Sequence, residues 1–126
     1  MGMYTELVVK CSIKENIDDN VKNILDYLFN GAELDKAKIP DHEFFKCERW
    51  HFIGSGSSCY HIPFALSKWD YSIGSYLFSR SDLKDYNAEI EKFIDWIDQY
   101  IDETPGMCIG WSWYEEYNEP TLLYKK

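Results

Sequence analysis

The chain has 126 residues, with 13 Lys plus Arg against 22 Asp plus Glu and a net charge of −9. Hydrophobic residues make up 45% and charged residues 28%, which fits one globular domain over 1–126 and excludes a disordered tail or a collagen-like fibre. The acidic balance argues against passive binding to DNA, RNA or anionic lipid, which all demand a cationic surface. No apolar run approaches the ~20 residues that span a bilayer.

Thr5, Leu7, Val9, Cys11 and Ile13 alternate with Glu6 and Lys10, which predicts a half-buried first strand. Asn16 is the expected cap of a helix whose apolar stripe is Ile17, Val21, Ile24, Leu25 and Leu28, with Gly31 ending it. After a loop over 32–42, the alternation of Phe44, Trp50 and Phe52 with Cys47, Arg49 and His51 predicts a strand over 43–53. Gly54-Ser-Gly-Ser-Ser58 then reads as a hairpin turn into a second strand over 59–69, and 75–80 as a further short strand. Without a Lys, and leading into a strand, that loop lacks the context of a phosphate cradle.

Asn87 is the expected cap of the clearest helix, with Ile90, Phe93, Ile94, Ile97 and Ile101 at helical spacing and Thr104-Pro-Gly106 as its stop. Met107, Ile109, Trp111 and Trp113 form the apolar parity of the next strand, and 121–124 a last short one. This order predicts an α+β fold: a largely antiparallel sheet covered on one face by two helices, ferredoxin-like (β-α-β-β-α-β), with an extra hairpin strand.

The N-terminus, Met-Gly-Met-Tyr-Thr-Glu, has no basic or apolar leader, so a cytoplasmic protein with reduced thiols is expected. The segments Met3-Tyr-Thr-Glu-Leu-Val-Val-Lys10, Asp85-Tyr-Asn-Ala-Glu-Ile-Glu-Lys-Phe-Ile-Asp-Trp-Ile97 and Tyr114-Glu-Glu … Glu119-Pro-Thr-Leu-Leu-Tyr resemble a group of small uncharacterised proteins of phages and prophages. The resemblance implies a phage-related origin and an intracellular site of action. It carries no catalytic residues with it.

Charge placement points to a function. Between Asp82 and Glu119 lie 11 acids against only Lys84 and Lys92, a balance of −9 that equals the charge of the whole chain. Glu91, Asp95, Asp98 and Asp102 fall on one face of the second predicted helix, where a solvated surface normally mixes signs because like charges at i, i+4 repel. Tyr114 and Tyr117 flank Glu115 and Glu116, and tyrosines are favoured interface anchors. These eight residues are the expected contact surface of a non-enzymatic binding protein. Its partner would be a host protein with a basic, nucleic-acid-binding site, as for a phage-encoded inhibitor, with no cofactor and no direct contact to nucleic acid or membrane. Self-association into a homodimer is a further reading, since Trp69, Tyr71, Tyr76 and Tyr100 also lack an obvious core slot.

The alternative is a small metal-binding or hydrolytic domain. A symmetric turn at 54–58 would set His51 opposite His61 with Cys59 diagonal to His51, two imidazoles and a thiol within reach of one zinc ion or one Cys–His nucleophile. That geometry requires strands on both sides of the turn.

Overall fold

The computed structural model describes residues 3–54 and 67–126. Five strands form one antiparallel sheet in the order β2-β3-β1-β4-β5: β1 Thr5–Ser12, β2 Lys68–Asp70, β3 Tyr76–Leu83, β4 Cys108–Tyr114 and β5 Thr121–Tyr124. Helix α1 (Asp19–Asn30) lies between β1 and β2 in the chain, and α2 (Glu89–Ile97) between β3 and β4. The protein is thus α+β, with both helices packed on the same face of the sheet. The extra strand is the C-terminal β5, beyond β4, and not a member of a central hairpin.

The central strand sets the layers. Leu7, Val9 and Cys11 of β1 join Leu77 and Leu83 of β3 beneath Val21, Ile24, Leu25 and Leu28 of α1 and Ile90, Phe93, Ile94 and Ile97 of α2. Ser79 and Ser81 of β3 share that buried face, and Ser81 Oγ accepts the Gly54 N–H at 2.6 Å, so its hydroxyl does not enter the core unpaired.

Both helices start differently from expectation. Asp18, not Asn16, caps α1 by accepting the Val21 N–H at 3.0 Å, while Gly31 does close it at φ 73°. For α2 no side chain of the capping residue serves. Ala88 holds φ 57°, and Asp85 reaches across the turn to accept the Ile90 N–H at 3.0 Å. Helix α2 ends at Ile97, a single 3-10 turn follows to Tyr100, and Ile101 is drawn out to bridge Ile13. Two backbone bonds fix this exit: Lys14 N–H to Tyr100 O and Asp102 N–H to Ser12 O, both 2.8 Å.

Residues 43–53 are not a strand. They form 3-10 turns at Glu43–Lys46 and Trp50–Phe52, opened by His42, whose Nδ1 accepts the Phe44 N–H at 3.0 Å. The buried residues Phe44, Cys47, Trp50 and Ile53 recur every third position, the period of a 3-10 helix, whereas strand parity would have buried Phe52, which is 49% exposed. The predicted turn at 55–58 and the predicted strand up to residue 66 lie outside the described residues. Where description resumes, Trp69 is buried and not a free aromatic: its indole N–H donates to Ser75 Oγ at 2.9 Å, and the Asn30 amide pairs with both its backbone groups. Asn30 thereby satisfies the outer edge of β2, which would otherwise invite another strand.

The second departure is in β4. A bulge between Cys108 and Gly110 reverses the parity, so Ile109 enters the helical core while Trp111 and Trp113 pair with Val8 and Glu6 on the opposite face. Gly110 makes this register possible. It sits at φ 150°, and a Cβ there would stand 1.9 Å from the Val8 carbonyl oxygen. Gly110→Ala is therefore expected to destabilise the fold by about 3–5 kcal/mol, read as a lowered midpoint in urea denaturation. An unchanged midpoint would contradict the bulge.

Candidate functional site

The acidic residues singled out in the sequence separate into two groups. Glu91 and Asp95 lie on α2, Asp98 on the 3-10 turn after it, and Asp102 beyond the Ile13–Ile101 bridge, so the expected single helical stripe of four is interrupted. Tyr114, Glu115, Glu116 and Tyr117 lie at the opposite end of the sheet, where β1 begins: Glu115 N–H donates to Tyr4 O, and its carboxylate accepts the Tyr4 N–H, both at 3.1 Å. Strand β4, seven residues or about 20 Å, separates Asp102 from this turn. Asp102 therefore lies far from this turn, whereas Glu91 belongs to the first turn of α2, which follows the end of β3 that pairs through Thr5 with Tyr114.

The two groups also differ in neutralisation. The C-terminal lysines fold back onto the end of α2. Lys125 Nζ donates to Asp98 at 3.0 Å, and the Lys126 backbone N–H donates to the other oxygen, also at 3.0 Å. Burial alone would raise the Asp98 pKa, but these two donors and the lysine charges outweigh it and hold the carboxyl below its ordinary range. Asp95 contacts His42 Nε2 at 3.0 Å and Lys126 Nζ at 3.8 Å. Glu103 accepts the Ser12 N–H at 2.8 Å. By contrast Glu91, Asp102 and Glu116 are exposed and make no ion pair among the described residues.

Around the β4–β5 turn the tyrosines are organised. The Tyr114 and Tyr117 rings meet edge to face at 5.3 Å, and the Trp113 indole N–H donates to Tyr117 O at 2.9 Å, fixing the turn from the open side of the sheet. Tyr117 remains 61% exposed. Desolvation, then the charges of Glu116 and Glu115, raise the Tyr114 phenol above its usual pKa. The turn thus combines an aromatic pair with a local negative field.

The expected metal or Cys–His cluster does not have the backbone it needs. His51 lies on a 3-10 turn, so the strand register that set it opposite His61 is absent on its side; Cys59 and His61 lie outside the described residues. Its Nδ1 is hydrogen-bonded to the Tyr27 hydroxyl at 3.0 Å, and its ring packs 4.1 Å from Trp50. Burial, then the nearby Lys36 charge, lowers its pKa. Among the described residues no group of three or more His, Cys, Asp and Glu is placed to hold a metal ion.

Two features escape the sequence pattern. The first is the face opposite the helices, where Tyr76 and Phe78 of β3, Trp111 and Trp113 of β4, and Leu122 and Tyr124 of β5 lie together because of the β4 bulge. The second is a pocket of about 270 Å³ at the start of α2, with Arg49, Lys84, Asp85 and Glu89 in its wall. Glu89 belongs to the predicted acidic helix, but it lies on the buried face of α2 with Phe93 and Trp96, and one carboxylate oxygen accepts the Asn87 N–H.

No helix among the described residues is long and apolar enough to cross a membrane. No family model matches the chain, and neither a curated protein nor a solved structure matches it.

Two measurements check this geometry. Asp98→Asn is expected to cost about 1.5–3 kcal/mol at neutral pH, the range of a charge-assisted hydrogen bond. Because the folded-state pKa is depressed, that stability is present above the ordinary carboxyl value near 3.9 and is lost as pH falls through the lower folded value. Denaturation curves of the two proteins should therefore converge as pH falls through that lower folded value. Thiol labelling of the native protein should modify exposed Cys108 and leave Cys11 untouched, since burial, then the Glu103 charge, pushes Cys11 up to about 12. Rapid native labelling of Cys11 would contradict its burial.

Proposed function

We propose that this is a non-enzymatic binding protein that presents an acidic, tyrosine-bearing turn to a basic protein surface. The observation that carries the reading is the β4–β5 turn: Glu116 makes no ion pair among the described residues, Glu115 and Glu119 are exposed beside it, and the Tyr117 ring packs edge to face on Tyr114. Desolvated aromatic contact supplies affinity, and the carboxylates supply steering and partner choice. Glu91 and Asp102 make no ion pair among the described residues; Asp95 and Asp98 are turned to internal use by His42 and the C-terminal lysines.

The finer reading is a phage-encoded inhibitor acting in the host cytoplasm. It would occupy a site that a host protein normally offers to nucleic acid, its carboxylates taking the place of phosphates. The three resembling segments and that charge analogy support it. We likewise read the fold as ferredoxin-like with β5 appended. The order β2-β3-β1-β4, with α1 and α2 as the two crossovers, supports this.

The test is calorimetric titration with a lysine- and arginine-rich peptide. Binding that weakens with salt, falls at least tenfold in Glu115→Gln/Glu116→Gln/Glu119→Gln, and changes little in Asp95→Asn would support the reading. Equal losses in both variants, or salt-independent binding, would refute it.

A further inference from the structure

The sheet face opposite the helices carries an inference that is independent of that reading. The solvent side of an antiparallel sheet is ordinarily polar. Here Tyr76 and Phe78 of β3 stand exposed on it, with Met107 and Tyr124 exposed toward β5. Strand pairing sets the residues around the two β3 rings in rows. Lys68, Phe78 and Lys10 are direct neighbours across β2, β3 and β1. Asp70, Tyr76 and Ser12 form the next row, about 7 Å further along the strands. Glu103 accepts the Ser12 N–H at 2.8 Å and lines the groove over β1 beside Lys10 and Ser12.

The rows are opposite in sign and in size. One has a long cation on each side of its ring; the other has short polar side chains, with acids at Asp70 and Glu103. Lys10 and Lys68 are exposed and make no ion pair among the described residues. Asp70 receives the Ser72 N–H and the Ser72 hydroxyl on the same carboxylate oxygen, so its other oxygen has no hydrogen bond among the described residues.

A small ion does not answer this pattern. An anion would suit the lysines and meet Asp70 and Glu103, and a cation would do the reverse. A nucleic-acid strand would also face the repulsion of a chain whose net charge is −9. The fitting surface alternates in sign at the same spacing, and a second copy does so by construction. A two-fold axis running across the strands between the rows lays each row on the other. Lys68 then faces Asp70, Phe78 faces Tyr76, and Lys10 faces Ser12 and Glu103, each contact being made twice. Stacked sheets pack about 10 Å apart, a gap that long side chains fill where they stand opposite short ones.

We propose that this face joins two copies of the chain in an isologous dimer. Tyr76 and Phe78 supply the desolvated contact, and Lys10 and Lys68 of each copy meet Glu103 and Asp70 of the other. The β4–β5 turns lie at the far ends of the two sheets, so the dimer presents two of them, pointing in opposite directions.

Sedimentation equilibrium of the full chain reads its mass as concentration rises. The expected result is a reversible shift from one chain to two, weakened by salt. Lys68→Glu and Asp70→Lys alter exposed side chains on the edge strand β2, and circular dichroism should stay native in both. Each makes the facing pair alike in sign, so each variant alone should dimerise at least tenfold more weakly. Mixing the two variants makes both contacts attractive again, and the mixture should associate within about threefold of the native chain. The Glu115→Gln/Glu116→Gln/Glu119→Gln protein should dimerise as the native chain does, which keeps this result separate from the peptide titration. The proposal is overturned if the native chain stays monomeric at millimolar concentration, if either variant dimerises as tightly as the native chain, or if the mixture associates no better than its components. A face reserved for a different partner would give the first of these outcomes.

Discussion

The structure depends on β1 being buried from both sides. Leu7 and Val9 close the helical core and Val8 and Glu6 are covered on the other face, so all four are within 2% of full burial. A strand in that position must be paired along both edges, and β3 and β4 supply those edges. The Glu6 carboxylate is tolerated there because Arg80, on the neighbouring β3, approaches it at 3.5 Å with little exposure of either side chain. The close passage of Gly110 over the Val8 carbonyl then sets the register of β4, and through it which aromatic side chains reach solvent.

That register organises the surface on which the functional reading stands. Turning Trp113 to the open face lets its indole hold the Tyr117 carbonyl, which fixes the β4–β5 turn with its glutamates outward. At the far end of the same strand the chain returns to Lys125 and Lys126, whose charges are spent on Asp98 and Asp95. The uneven charge of the sequence therefore resolves into a neutralised helix end and an unneutralised turn. The difference follows from where β5 delivers the last two residues.

Much of this was legible in the residue pattern. The alternation through Leu7, Val9 and Cys11, the helical spacing of Ile90 to Ile97, the αL glycine at 31 and the last strand at 121–124 all appear where local periodicity places them. Four features were not legible, each for a stated cause. Phe44, Cys47, Trp50 and Ile53 repeat every three residues, and a short aromatic-rich run disguises that period as strand alternation. A bulge is invisible to parity counting, so Trp111 and Trp113 read as core until Gly110 is seen to need its unusual φ. Asp102 reads as helical because Ile101 keeps the spacing, although tertiary pairing to Ile13 has already pulled the chain straight. Lys125 and Lys126 lie outside the acidic segment in sequence, so only the folded chain shows which carboxylates they cancel.

The claim on which the account turns is that negative potential concentrates at the β4–β5 turn and is cancelled at the end of α2. A positively charged paramagnetic cosolute reports this directly through the broadening of amide resonances, compared with a neutral cosolute of the same size. The account predicts the largest charge-dependent excess at residues 115–119 and little at 95–98. Equal broadening at both places, or a maximum at 95–98, would contradict it.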